Sequence, residues 1–275
     1  MDINSILLYA VAFGTLVLLF GLYRAMMSPA LKYHSFMYKI KAKFFFWCGR
    51  VKRLNSFPFV TWARVLPLVD YQDARQCSAL ARPGDIGLHR EAGCLSNFGI
   101  PGAFKHAWIW TGDNRIVEAC QEGVMHRDEF HPIVCDYSIL LRPKGMSEDD
   151  VKIAVQRAKS IVGCEYDANF NFDLLEADKV IGQQYTRNIS AGEYHPAFSC
   201  TETVAFSWLH KRKELGVFRT TYAGREAIIA DDYLRMNCEI VWVSPSVTME
   251  WATMEGLHEE GRFKLQEYLD KRKTA

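Results

Sequence analysis

Apolar and polar residues alternate in short runs through the middle of the chain, and the spacing turns helical in two places. RPGDIGLH, residues 82–89, opens with a Pro-Gly-Asp turn and continues as a short apolar strand. HAWIWTGDNRIVEAC, residues 106–120, alternates on both sides of Gly112-Asp113-Asn114. It predicts a β-hairpin with a turn longer than the two-residue type. DYSILLRP, residues 136–143, is a further strand ended by Pro143, and CEIVWVSP, residues 238–245, is a late one. Residues 147–163 have Ser147 as cap, acids in the first turn, Val151, Val155, Ala158 and Val162 at helical spacing, and Gly163 as stop. A second helix is expected from Cys200 to about Leu215, closed by Gly216, and residues 251–275 read as a charged helical tail. Strands first, then helix, loop, helix and a last strand predict an α+β domain.

The N-terminal end breaks this pattern. Residues 6–23 form an uncharged apolar run of 18 residues, about the minimum that spans a bilayer core. A cleaved signal peptide fits less well, because no Lys or Arg precedes the run and no small-residue cleavage site follows it. From Arg24 to Val69 there are nine Lys or Arg and no Asp or Glu, which leaves residues 70–275 with 24 basic and 31 acidic residues. Positive flanks stay on the cytoplasmic side. The expected topology is a single-pass membrane protein, N-terminus out and the bulk of the chain in the cytosol. The organisation is then a transmembrane anchor over 1–25, a basic juxtamembrane segment over 26–69, a catalytic domain over 70–250 and the tail over 251–275. Beside an anionic leaflet the basic segment is attracted to lipid. KAKFFFWCGR, residues 41–50, adds aromatic residues suited to headgroup depth, and so close to a span a nucleic-acid partner is not expected.

Eight cysteines are scattered along the chain without a CxxC pair, so a zinc ribbon or thioredoxin motif has no support. Unframed thiols fit a reducing compartment. One of them is distinctive. In FSCTET, Ser199 and Glu202 have the spacing of a capping box, which makes Cys200 the first residue of a helix. Unpaired N–H groups and the positive end of the helix dipole favour thiolate there. Thiol catalysis also needs a base and a group to orient it. His106 opens the first strand of the hairpin and Glu118 lies near the end of the second, 12 residues on and centred on Gly112. The two are expected to face each other as cross-strand neighbours. His195, five residues before Cys200, competes for the base role, but it precedes Pro196 in a loop. Cys94 has no helix start or acid with it. His126 and His131 flank Asp128 and Glu129 without the spacing of a standard metal site, so a solvated loop is expected there. Trp108 and Trp110 are assigned to core packing.

The order of these pieces, PGDIGL, KHAWIW, RIVEAC, GCEYDANFNF and FSCTET, resembles the circularly permuted papain-like hydrolases. These are permuted relatives of the NlpC-type cysteine peptidases, the YiiX/YebB-like group, with the lecithin:retinol acyltransferase-like enzymes as cousins. In that family His precedes Cys, the reverse of papain order, and the nucleophile starts a helix packed on a small antiparallel sheet. The resemblance covers roughly residues 82–245. It implies Cys200 as nucleophile, His106 as base, Glu118 as orienter and Tyr166 near the oxyanion site. The family's Cys-Ser-Glu stands here as Cys200-Thr201-Glu202, and the segment from Tyr166 to Cys200 is long for the family, with a helix expected over 173–185. Segments of that length are often lids or binding loops.

The expectation is a membrane-anchored thiol hydrolase or acyltransferase acting on an amide or ester through a thioester on Cys200. Such chemistry asks for neither metal nor organic cofactor. The substrate is open between peptide and lipid, and anchoring with the basic segment favours one at the membrane, such as a lipid or lipidated protein. The alternative is an inactive membrane-tethered adaptor on the same fold, which would be expected to have lost Cys200, His106 or Glu118.

Overall fold

A computed structural model of the chain describes residues 36–50, 52–53, 60–61, 67–129, 133, 135–167, 197–216, 220–222 and 225–274. The apolar run 6–23, the segment 168–196 with its expected helix over 173–185, His195 and His131 lie outside the described residues. Among those described, no helix is long and apolar enough to cross a membrane.

Six strands form one antiparallel sheet: β1 Ile86–Arg90, β2 His106–Gly112, β3 Arg115–Cys120, β4 Gly123–Asp128, β5 Tyr137–Pro143 and β6 Cys238–Val243. Their order across the sheet is β6-β5-β1-β2-β3-β4, with every neighbouring pair antiparallel. With the helices described below this is the expected α+β class. The alternation seen in the sequence sorts residues between two faces. Ala107, Ile109, Val117 and Ala119 enter one core cluster with Ile86, Leu88 and Val204. Trp108, Trp110 and Ile116 enter a second cluster with Ala74, Cys77, Leu140 and Trp242. Both tryptophans are buried, in line with the packing role assigned to them.

The β2–β3 turn departs from expectation. Asp113 and Asn114 form a two-residue turn, both at positive φ (54° and 53°), the pattern of a type I′ hairpin. Short polar side chains tolerate this left-handed conformation, so no longer loop is needed. The extra residue is absorbed as a bulge between Trp110 and Gly112. The bulge shifts the register: Ile109 pairs with Val117 and Trp110 with Ile116. Continued along the strands, this places Glu118 level with Trp108, one diagonal step from His106.

A second departure is β4. The stretch holding His126 and Asp128 is an edge strand rather than a solvated loop, turned back by Gly123 at φ 104° and paired residue for residue with β3. Its outer edge is met at Val124, whose N–H donates to the Cys164 carbonyl and whose carbonyl accepts from the Gly163 N–H, both at 2.8 Å. The polar side chains beyond suit a sheet edge, which masks the strand in the sequence.

Helix α1, Phe36–Arg50, lies in the basic segment and contacts the turn at Leu95–Phe98. Helix α2, Tyr71–Leu80, is capped by Asp70 and buries Ala74 and Cys77. On the other face lie α3, Glu148–Ser160, and α4, Cys200–Ser207. Ser147 and Asp150 form a reciprocal capping box at the start of α3, a device whose cap alone is worth about 0.5–2 kcal/mol. Only small side chains, Ala154 and Ala158, are buried on α3, and this lets α3 approach α4 closely. Arg157 donates from Nε to the carbonyl of Phe206 at 2.9 Å and lies over its ring.

All eight residues of α4 are buried. The helix does not run unbroken to Leu215. It turns at Trp208, whose indole Nε1 donates to the Gly84 carbonyl at 3.2 Å, and a one-turn helix at Arg212–Leu215 then ends at Gly216 with φ 66°. The C-terminal residues form α5, Asp232–Arg235, α6, Met249–Met254, and α7, Glu259–Thr274. Leu265 of α7 is buried in the main core, and Lys264 Nζ donates to the carbonyls of Met236 and Cys238.

The contact between β1 and β2 gives a direct check on this packing. A Cβ on Gly87 would lie 1.9 Å from the buried Trp108 ring. Gly87→Ala is expected to cost about 1–3 kcal/mol, the usual range for overpacking. Urea unfolding of Gly87→Ala, Trp108→Ala and the double variant should show strong non-additivity; additive losses would mean that the ring does not cover Gly87.

Candidate functional site

The site is assembled where β2 and β3 part. Their ladder is made at Gly112↔Arg115, Trp110↔Ile116 and Ile109↔Val117. Nearer the start of β2, the backbone N–H of Ala107 donates to the sulfur of Cys200. Helix α4 contacts both strands and sets its N-terminus into this fork.

Three local features fix the N-terminus. Ser199 Oγ accepts from the Glu202 N–H at 3.4 Å, and Glu202 Oε2 accepts from the Ser199 N–H at 2.7 Å, which is the expected capping box. The Tyr233 hydroxyl of α5 donates to the Thr201 carbonyl at 2.6 Å. A two-residue parallel bridge joins Glu165–Tyr166 to Ala197–Phe198 and brings Tyr166 beside the residues that lead into Cys200.

His106 Nε2 lies 2.9 Å from Glu118 Oε2. The ring is also hydrogen-bonded to Cys200, which leaves Nδ1 for the sulfur. The imidazole thus joins thiol to carboxylate as the sequence predicts, although Glu118 reaches it diagonally. Glu118 is 2% exposed and His106 21%. Glu118 has a second cation: Arg127 Nε is 3.4 Å from Oε1. Arg127 was not among the residues expected here. Ile116 pairs with Arg127 and Glu118 with Met125, so Arg127 is the diagonal neighbour of Glu118 on the same face. Reading residues 115–128 as a hairpin about Gln121-Glu122 would have revealed it. On the other side of β2, the His89 ring lies against His106, tilted by 36° with centroids 4.6 Å apart.

Charge follows from this geometry. Burial pushes the Cys200 thiol up, but the charge of His106, its hydrogen bond and the N–H groups of Ala107 and Thr201 outweigh burial and bring the thiol below its ordinary value. Burial pulls His106 down, yet Cys200 and Glu118 hold it well above the usual imidazole range. The pair therefore favours thiolate and imidazolium. The other described thiols with a resolved shift, Cys77, Cys120, Cys135, Cys164 and Cys238, are all pushed up, chiefly by burial. Tyr166 is raised well above the phenol range by burial and the Cys200 charge, so it keeps its proton. Glu202 is also held well above the carboxylate range, by burial and by Asp167.

Cys200, His106, Glu118 and Tyr166 thus lie together. Cys94 lies apart, buried just before the Leu95–Phe98 turn; contrary to expectation an acid does accompany it, Glu91, whose Oε2 is 3.8 Å from its sulfur. Cys77, Cys94, Cys120, Cys135, Cys164, Cys200 and Cys238 are free thiols. Comparison of the chain with protein-family models, curated proteins and solved structures gives no match.

An anion in the first turn of α4 would oppose a thiolate at Cys200. Because burial and Asp167 push the Glu202 carboxyl well above the usual carboxylate range, it opposes the thiolate less than an ordinary glutamate would. Glu202→Gln is therefore expected to leave the pH midpoint of Cys200 alkylation in place. A fall of about one unit or more, the size expected on removing a nearby carboxylate, would show that Glu202 is ionised.

Proposed function

We propose that the chain is a membrane-anchored, cytosol-facing thiol hydrolase or acyltransferase with a circularly permuted papain-like domain. The observation that carries this reading is the single imidazole hydrogen-bonded to both a helix-start thiol and a buried carboxylate. The order His106, Glu118, Cys200 and the helix on an antiparallel sheet support the permuted arrangement.

In this mechanism the Cys200 thiolate attacks the carbonyl carbon of an ester or amide. The π electrons move to the carbonyl oxygen, and the protonated Tyr166 phenol is the proposed donor to that oxyanion. Collapse expels the alcohol or amine, which takes the proton from His106 Nδ1 and leaves a thioester. His106, now neutral, takes a proton from water or an acceptor hydroxyl or amine as it attacks the thioester, and the thiolate is released. Glu118 holds the imidazole in orientation and stabilises its charged form, as the third member of a triad does. Arg127 anchors Glu118 from behind.

Membrane anchoring rests on the apolar run 6–23, and the orientation on the nine positive residues that follow it. Residues 70–275 should resist protease added outside intact cells; digestion of that segment from outside would overturn the topology.

The chemistry is tested by titrating iodoacetamide labelling of Cys200 against pH. Wild-type labelling should persist below the ~8.5 of a free thiol, into the ~3.5–7.5 range of activated cysteines. It should fall as pH drops through the lowered thiol pKa. Cys200→Ser should abolish acyl-enzyme formation and keep the fold. His106→Ala should raise the labelling midpoint and cut turnover about 10²–10⁴-fold, the usual share of a general base; Glu118→Gln should lose less. A wild-type midpoint at the free-thiol value, unmoved by His106→Ala, would make the cysteine structural and end the hydrolase reading.

A further inference from the structure

Helix α1 carries an apolar stripe that remains substantially exposed. Phe36, Ile40, Phe44 and Trp47 are 76%, 38%, 51% and 45% exposed. Their spacing of i, i+4, i+8 and i+11 places all four on one face, and the Phe44 and Trp47 rings stack at 5.9 Å. Lys39 and Lys43, both exposed, border one edge of the stripe by the same helical geometry. The inward side is marked by the buried Lys41 and the half-buried Ala42. A four-residue aromatic and aliphatic face edged by lysine, in a segment with no acid from Arg24 to Val69, has the make-up of a helix lying in the plane of an anionic bilayer.

Its place in the fold adds a consequence. Helix α1 contacts the Leu95–Phe98 turn, which follows shortly after β1 ends at Arg90. One residue earlier, the His89 ring contacts that of His106. The stripe is therefore attached at the end of the sheet that holds the candidate site. Only twelve residues separate Phe36 from the apolar run 6–23, a reach of at most about 43 Å at ~3.6 Å per residue.

We propose that α1 is an interfacial helix. Its stripe enters the headgroup–acyl boundary of an anionic membrane and presents Cys200 to acyl groups carried by bilayer lipid. The substrate clause rests on the proposed thiol chemistry; the docking surface does not.

The test uses the full chain in vesicles of phosphatidylcholine, with or without phosphatidylserine, whose acyl chains are dibrominated. Trp47 should contribute a share of the quenched emission that is lost in Trp47→Phe. The same share should be lost in phosphatidylserine vesicles when Lys39→Glu and Lys43→Glu are combined, with the chain still sedimenting with lipid. Equal quenching of wild type and Trp47→Phe would overturn the surface. Quenching indifferent to the lysine changes would overturn the anionic membrane as its occupant, and a Trp47 shielded from lipid within a cross-linkable dimer would assign the stripe to a second copy.

For the substrate clause, iodoacetyl-phosphatidylethanolamine in the same vesicles should label Cys200. Phe36→Asp with Phe44→Asp should slow that labelling several-fold while labelling by soluble iodoacetamide stays unchanged, which also reports an intact fold. No labelling by the lipid reagent beside normal soluble labelling sinks the lipid-substrate clause alone. A Cys200 inert to both reagents sinks the thiol chemistry and leaves the Trp47 result standing.

Discussion

The structure turns on burying the start of a helix. Every residue of α4 from Cys200 to Ser207 is buried between the sheet and α3. A buried helix N-terminus has N–H groups with no intrahelical acceptor, and leaving them unpaired in an apolar interior is expensive. Here Ser199 Oγ takes the Glu202 N–H, Glu202 takes the Ser199 N–H, and the Cys200 sulfur takes those of Thr201 and Ala107. Sulfur accepts such bonds best as thiolate. Satisfying the helix end and lowering the pKa of its thiol are thus one requirement, met beside the end of the β2–β3 ladder at Ile109↔Val117.

An anion placed there needs its counter-charge close by, and the sheet supplies it in a row. His106, Glu118 and Arg127 come from three adjacent strands and alternate in sign from the sulfur outward. Each step is a diagonal across a strand pair, a reach that long side chains have and short ones lack. The neighbouring carboxyl of Glu202 is pushed well above the usual carboxylate range by burial and Asp167, which weakens it as a competing anion. The loop leading into β2 is pinned from elsewhere: Asp231 accepts the N–H groups of Ala103 and Phe104 at 2.6 and 2.8 Å. That clamp fixes the backbone just before His106, and hence the direction from which the imidazole meets the sulfur.

Much of this was legible in the chain because each feature had a local cause. Ser199-x-x-Glu202 marks a helix start whatever surrounds it, and apolar alternation in 106–120 sorts two faces whatever packs on them. Cys200, His106 and Glu118 followed from those two patterns. The register did not, because an Asp-Asn turn with a bulge and a longer loop leave similar alternation in the sequence. Arg127 was missed for a related reason: β4 is an edge strand whose polar residues look like a loop unless its pairing with β3 is already known. The break at Trp208 depends on the Gly84 carbonyl and on room for an indole, a tertiary contact with no local signature. Helix α1 was read only as charge and aromatic content, since its stripe becomes apparent once the residues are wound on a helix.

The proposed membrane surface and the proposed chemistry meet in the distribution of charge. Residues 70–275 carry 24 basic and 31 acidic side chains, whereas Arg24 to Val69 holds nine basic and none acidic. An anionic leaflet attracts the second part and repels the first, over a distance of about one Debye length, roughly 8 Å at physiological salt. A body held this way contacts lipid through α1 and stands away elsewhere. Because α1 is attached at the His89–His106 end of the sheet, the proposed arrangement that satisfies the electrostatics would also bring the thiolate to the bilayer side. An acyl group leaving lipid would then have a short path to Cys200, and the thioester would form in a buried fork at the edge of water, where an acceptor for the second step is at hand.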